Sequence, residues 1–173
     1  MTEQLLAALA NVLKDTDRLE HLQLHFSAND SLLRGSTFNS AVVENAFRLI
    51  QFISNKISQR DYKMKINANE VAIIIQSEKD HIGYDALMPI AELSDEELEE
   101  IKWTDRLGYQ IQYLKKTPTR THQMMAIFHQ NEELELKTVF PGEYAPPFPN
   151  KTIQTEQEFS KSKIFWNQHV LLK

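Results

Sequence analysis

The chain has 173 residues, 42% of them hydrophobic and 25% charged, with no cysteine and only four glycines. Such a chain is expected to form one compact soluble domain, and the missing cysteines exclude disulfides and thiolate metal sites. No run approaches the roughly 20 apolar residues that span a bilayer, Glu3 stands where a secretory signal carries basic residues, and the net charge of −5 argues against generic nucleic-acid binding; a cytoplasmic protein without membrane association is expected.

Residues 3–14 read as an amphipathic helix, with Leu5, Leu6, Leu9, Val12 and Leu13 on one stripe. Leu22, Leu24 and Phe26 alternate with His21, Gln23 and His25, the pattern of a short strand. On a strand His21 and His25 would lie about 13 Å apart, too far to share a metal. Residues 27–39 read as a loop. A helix over about 40–58 is expected, capped by Ser40, burying Val43, Ala46, Phe47, Ile50, Ile53 and Ile57, with Leu49 and Phe52 widening the stripe. Tyr62, Met64 and Ile66 alternate with lysines, Asn67-Ala68-Asn69 suits a turn, and Val71–Ile75 is continuously apolar, so a hairpin follows. A further strand is expected over 82–90, and Asp80, His81 and Asp85 read as solvated polar residues of a turn.

Ser94 and Glu97 form a capping box for a helix running to about Trp103. Strands are expected over 108–116, 120–129 and 134–140. The proline-rich stretch 141–149 cannot join a sheet interior and reads as a strap pinned by Phe140, Tyr144 and Phe148. Thr155 and Glu158 form a second capping box, opening a last helix with Phe159, Phe165 and Trp166; Trp103 and Trp166 are expected as buried or half-buried anchors. The order predicts α+β: N-terminal helices on a mainly antiparallel sheet with a short C-terminal helix. One domain over 1–173 is expected; a division into lobes would fall at 103/104, because the cations gather late. Residues 1–100 hold nine Lys/Arg against 17 Asp/Glu, whereas 101–137 hold six against four.

The candidate site is on the hairpin of 120–140. A two-residue turn at Asn131-Glu132 pairs 128 with 135, 126 with 137 and 124 with 139. Gln123, Met125, Ile127, Leu134, Leu136, Thr138 and Phe140 then form the core face, and Arg120, His122, Met124, Phe128, Glu135 and Lys137 the other. On that second face His122 is a candidate acid/base, and Arg120 and Lys137 candidate phosphate ligands, with Lys116 nearby. This set suits RNA or phosphate binding and metal-free RNA cleavage. The plainer reading of the same residues is a solvated face with cross-strand Glu–Lys pairs. No cofactor or metal is expected: Walker, dinucleotide, nucleophile-elbow, zincin and calcium-loop motifs are all missing.

His122, Thr138, Phe140 and Pro141 carry a partial resemblance of residues 105–149 to barnase-like, colicin-like and RelE-like bacterial ribonuclease domains. The resemblance implies helices followed by an antiparallel sheet, and a histidine beside a Thr or Ser. Here the register above places Thr138 on the face opposite His122. The alternative function is a non-catalytic acidic interaction module of inhibitor or immunity type, docking a basic protein through the acidic helix 95–102.

Overall fold

The computed structural model describes residues 1–27, 36–78, 80–106 and 108–173. The chain divides into two compact units that interleave in sequence: the first comprises 1–85 and 120–143, the second 86–119 and 144–173. The chain therefore crosses between units three times, and residue 103 lies inside the second. The fold is α+β, with five α-helices and three four-stranded sheets among the described residues.

The first unit begins with α1 (Thr2–Leu13) and α2 (Thr16–Gln23), then β1 (Phe26–Ser27), β2 (Thr37–Asn39), α3 (Ala46–Ser58), β3 (Lys63–Asn67), β4 (Glu70–Gln76) and β5 (Gly83–Asp85). The second takes over with β6 (Leu87–Pro89), a 3-10 turn at Ile90–Glu92, α4 (Asp95–Glu99), β7 (Lys102–Arg106) and β8 (Tyr109–Leu114). β9 (Thr119–Thr121) leads back to β10 (Gln123–Gln130) and β11 (Leu134–Pro141), and the chain ends in the second unit with α5 (Glu156–Asn167) and β12 (His169–Leu172).

The main sheet of the first unit has the order β11-β10-β4-β3 and is antiparallel throughout. Leu5, Leu9 and Val12 of α1 and Leu49, Ile50, Ile53 and Ile57 of α3 form one buried cluster with Val71, Ile73 and Ile75 of β4 and Met124, Ala126 and Phe128 of β10. Each of these side chains larger than Ala126 contributes about 1.5–3 kcal/mol by leaving water. Ala72, Met125 and Ile127 form a second buried cluster, with Ile74 and Phe140 against it. A smaller sheet orders β1-β2-β5-β9. In the second unit β12 lies between β6 and β8, antiparallel to the first and parallel to the second. Leu114, Val170 and Leu172 are buried there.

Several elements depart from the sequence reading. The stretch around His21 is not a strand but the end of α2, because the Asp15 side chain accepts from Arg18 N and starts a helix; Leu24 is 78% exposed, which no strand face shared with Leu22 allows. The imidazoles of His21 and His25 consequently meet edge to face with centroids 5.9 Å apart. Residues 28–35 of the expected loop lie outside the described residues; β2 occupies its end. The third helix starts at Ala46, capped by Asn45 rather than Ser40, and Phe47 is 44% exposed instead of buried. The segment 82–90 makes two strands in two different sheets. The capping boxes at Ser94 and Thr155 are both present, but α4 ends at Glu99 and Trp103 lies on β7, exposed. Trp166 is buried; its indole donates to the Pro146 carbonyl at 3.1 Å and its ring lies 4.5 Å from Phe148, so the proline-rich strap is pinned there, while Tyr144 is exposed. His81 is bonded rather than merely solvated, with Asn39 Nδ2 at 2.9 Å and the Tyr84 hydroxyl at 3.2 Å, and Asp85 accepts from Glu143 N at 3.0 Å.

Candidate functional site

The hairpin register decides which side chains share a site. Phe128 pairs with Leu136, His129 with Glu135 and Gln130 with Leu134; beyond a bulge at Ile127/Phe128, Ile127 pairs with Thr138, Ala126 with Val139 and Met124 with Pro141. The expected pairing of 128 with 135 is therefore off by one residue at the turn and by two past the bulge. Met124 and Phe128 belong to the core face with Leu136 and Val139, while Met125 and Ile127 line the opposite face with Thr138. Both faces of β10 are apolar, so neither is the cationic face anticipated.

The proposed trio is distributed accordingly. Arg120 is exposed on β9. His122 is exposed in the bend between β9 and β10, where the Thr121 hydroxyl accepts from Gln123 N at 3.1 Å and the His122 carbonyl accepts from Ser77 N at 2.7 Å. Lys137 stands at the bulge, where its ammonium pairs with Glu135 at 3.1 Å. Five residues of β10 separate the bulge from His122, about 17 Å along a strand, so His122 and Lys137 do not converge. Lys116, on the second unit, pairs with Glu97 at 2.7 Å.

Lys137 instead meets α2. A hollow of about 230 Å³ is lined by Val12, Asp17, Arg18, His21, Leu22, Leu136 and Lys137. The bulge places Lys137 here, by inserting an extra residue that re-aims the strand. Helical spacing brings Asp17 and His21, and Arg18 and Leu22, one turn apart. The Arg18 guanidinium donates from Nη1 to the Leu136 carbonyl at 3.0 Å and lies 3.9 Å from the Asp15 carboxylate. Val12, Leu22 and Leu136 supply an apolar floor, all three buried. Arg18 and Leu136 also border a second hollow of about 210 Å³, whose further lining includes Asn11, Asp15 and Glu133.

The electrostatics around this hollow follow from the pairs. The hydrogen bond from Lys137, with its charge, holds the Glu135 carboxyl below the usual carboxylate range. Burial lowers the pKa of His25, and the neighbouring His21 lowers it further. Among the described residues no group of three His, Asp or Glu side chains is placed to hold a metal ion, and no helix is long and apolar enough to cross a membrane.

No family model matches this chain, and no curated protein sequence is similar to it.

A signal for the residues that line this hollow was present in the sequence. Leu134 and Leu136 are spaced by two, but the next core residue, Val139, comes three later; that change of period marks a bulge in Lys137-Thr138. Asp15, three residues before Arg18, was the missed start signal for α2.

Proposed function

We propose that the first unit binds a small anionic group, a phosphate ester foremost, in the hollow between α2 and β11. The observation that carries this reading is the convergence of Arg18, His21 and Lys137 from two elements over an apolar floor. Arg18 commits one nitrogen to Leu136, which fixes the guanidinium plane and leaves other N–H groups for an oxyanion. Lys137 adds a mobile point charge. Asp17 offers an acceptor for a ligand hydroxyl, and Val12 and Leu22 a dry surface for its apolar part. RNA cleavage, the activity that the ribonuclease resemblance implies, would then use His21 and not His122 as its proton carrier. A cytoplasmic setting agrees with the absence of cysteine.

Isothermal titration calorimetry with inorganic phosphate and with a nucleoside monophosphate tests the site. Saturable binding with a Kd of about 1 mM or tighter, weakened at least tenfold in Lys137→Ala and in Arg18→Lys, is expected. Binding that is absent, or untouched by both substitutions, rejects the reading. Cleavage of a single-stranded RNA by the wild type, lost in His21→Ala and retained in His122→Ala, would extend it to catalysis.

A second reading concerns the other unit. Asp95, Glu96 and Glu99 of α4 surround Leu98, which is 40% exposed, a combination suited to docking a basic protein. A pull-down with Leu98→Lys as the negative control tests it.

A further inference from the structure

β3 is the last strand of the main sheet, and every one of its residues is exposed. Its loop to β4 has two residues, so Asn67 and Glu70 close the hairpin as a hydrogen-bonded pair. Bonding alternates along an antiparallel pair. Lys65 and Lys63 therefore bond inward to Ala72 and Ile74, and Met64 and Ile66 direct their N–H and C=O groups outward. The side chains alternate in the complementary sense. Met64 and Ile66, 40% and 55% exposed, extend the row of Ile73 and Val71 on the core face. Lys63 and Lys65 project from the other face, opposite Ile74 and Ala72. No acidic residue faces them across the strand, and neither lysine has an ion pair among the described residues.

The geometry points to β3 as a docking edge for an extended peptide of a partner protein in which acidic and apolar residues alternate. Such a strand bonds the outward groups of Met64 and Ile66 and sets its acidic side chains against Lys63 and Lys65. Its apolar side chains cover Met64 and Ile66, so affinity comes from the backbone and selectivity from the two faces.

Charge decides against a second copy as the occupant. Antiparallel self-pairing about Lys65 sets Lys65 against itself; pairing about Met64 sets Lys63 against Lys65. Both of these arrangements oppose like charges on one face, the means by which lysines guard an edge against its own kind; pairing about Ile66 avoids that clash but sets Met64 and Lys63 against the loop residues Ala68 and Asn69, beyond the strand. Head-to-tail growth onto β11 of another copy is also blocked, because Arg18 already occupies the Leu136 carbonyl. This inference is independent of the anion hollow.

The test is a titration of the full 15N-labelled chain with a capped hexapeptide of alternating Glu and Val, beside a Lys–Val peptide and a Glu–Val peptide N-methylated at alternate amides. Saturable shifts centred on the Met64 and Ile66 amides are expected with Glu–Val alone. The Lys63→Glu/Lys65→Glu double variant should reverse the preference to Lys–Val by at least tenfold, and Ile66→Pro, which removes one outward donor, should abolish binding with the fold intact. No saturable binding up to about 1 mM, equal binding of the Glu–Val and Lys–Val peptides, or full affinity for the N-methylated peptide overturns the proposal. So does concentration-dependent protection of the Met64 and Ile66 amides without peptide, which identifies a second copy as the occupant.

Discussion

β11 and β3 are the outermost strands of one sheet, and the chain treats them in opposite ways. β11 is guarded: Arg18 bonds the Leu136 carbonyl, α1 lies against it, and a bulge breaks its regularity. Past its last residue Gly142 turns the chain at φ +106°, held by the bond from Glu143 N to Asp85. β3 has no such cover, only two lysines. A sheet edge left bare is an aggregation hazard unless something limits what can pair with it. The difference teaches that one edge is sealed by structure and the other filtered by charge.

The largest expected effect comes from breaking the guarded side. A Cβ at residue 142 would overlap the Asp85 carboxyl group, and the backbone there is left-handed. Gly142→Ala should therefore cost about 3 kcal/mol in denaturant unfolding of the first unit. Arg18→Met, which keeps the apolar stem and removes the donor to Leu136, should cost about 1–2 kcal/mol. It should also speed hydrogen exchange along β11 while leaving β3 unchanged. On the open side, Ala68 holds φ 43° in the hairpin loop, a conformation glycine adopts freely, so Ala68→Gly should stabilise by about 0.5–1 kcal/mol.

The pH dependence sharpens the guarded side further. His25 follows α2, and its folded pKa lies below the ordinary value. As pH falls the unfolded chain takes up the proton first, so stability present above about pH 7 declines through about 6.5 and levels off below the folded value. His25→Gln should flatten that segment of the stability–pH curve. The smallest effect is Lys65→Glu: within about 0.5 kcal/mol of wild type, since no partner of Lys65 is lost.

What the sequence revealed follows from the range of the interactions involved. The β3–β4 hairpin, α1 and both capping boxes rest on contacts within a few residues, and each was legible. The start of α2 was equally local, in Asp15, but the L-x-L-x-F alternation masked it; a short apolar run cannot by itself separate helix from strand. The site was harder. Pairing His122 with Lys137 assumed unbroken alternation from 122 to 140, and one bulge invalidates every assignment beyond it. The meeting of Arg18 with Leu136 spans 118 positions, and no nearby residue announces it. β12 and β7 were missed for a related reason: both are short and take their register from partner strands, β12 from β6 and β8 and β7 from β8.

The interleaving of the two units bears on how the chain is made. β10, the strand beside β4 in the main sheet, belongs to residues 123–130, while α1 to β5 end at residue 85. During synthesis the helical half of that core therefore emerges well before the strands that complete it, and for a further stretch of translation Val71–Ile75 offers an uncovered, β-branched flank. A chain that ends near residue 119 lacks β10 and β11, so the flank of β4 that β10 covers stays open until those strands are made.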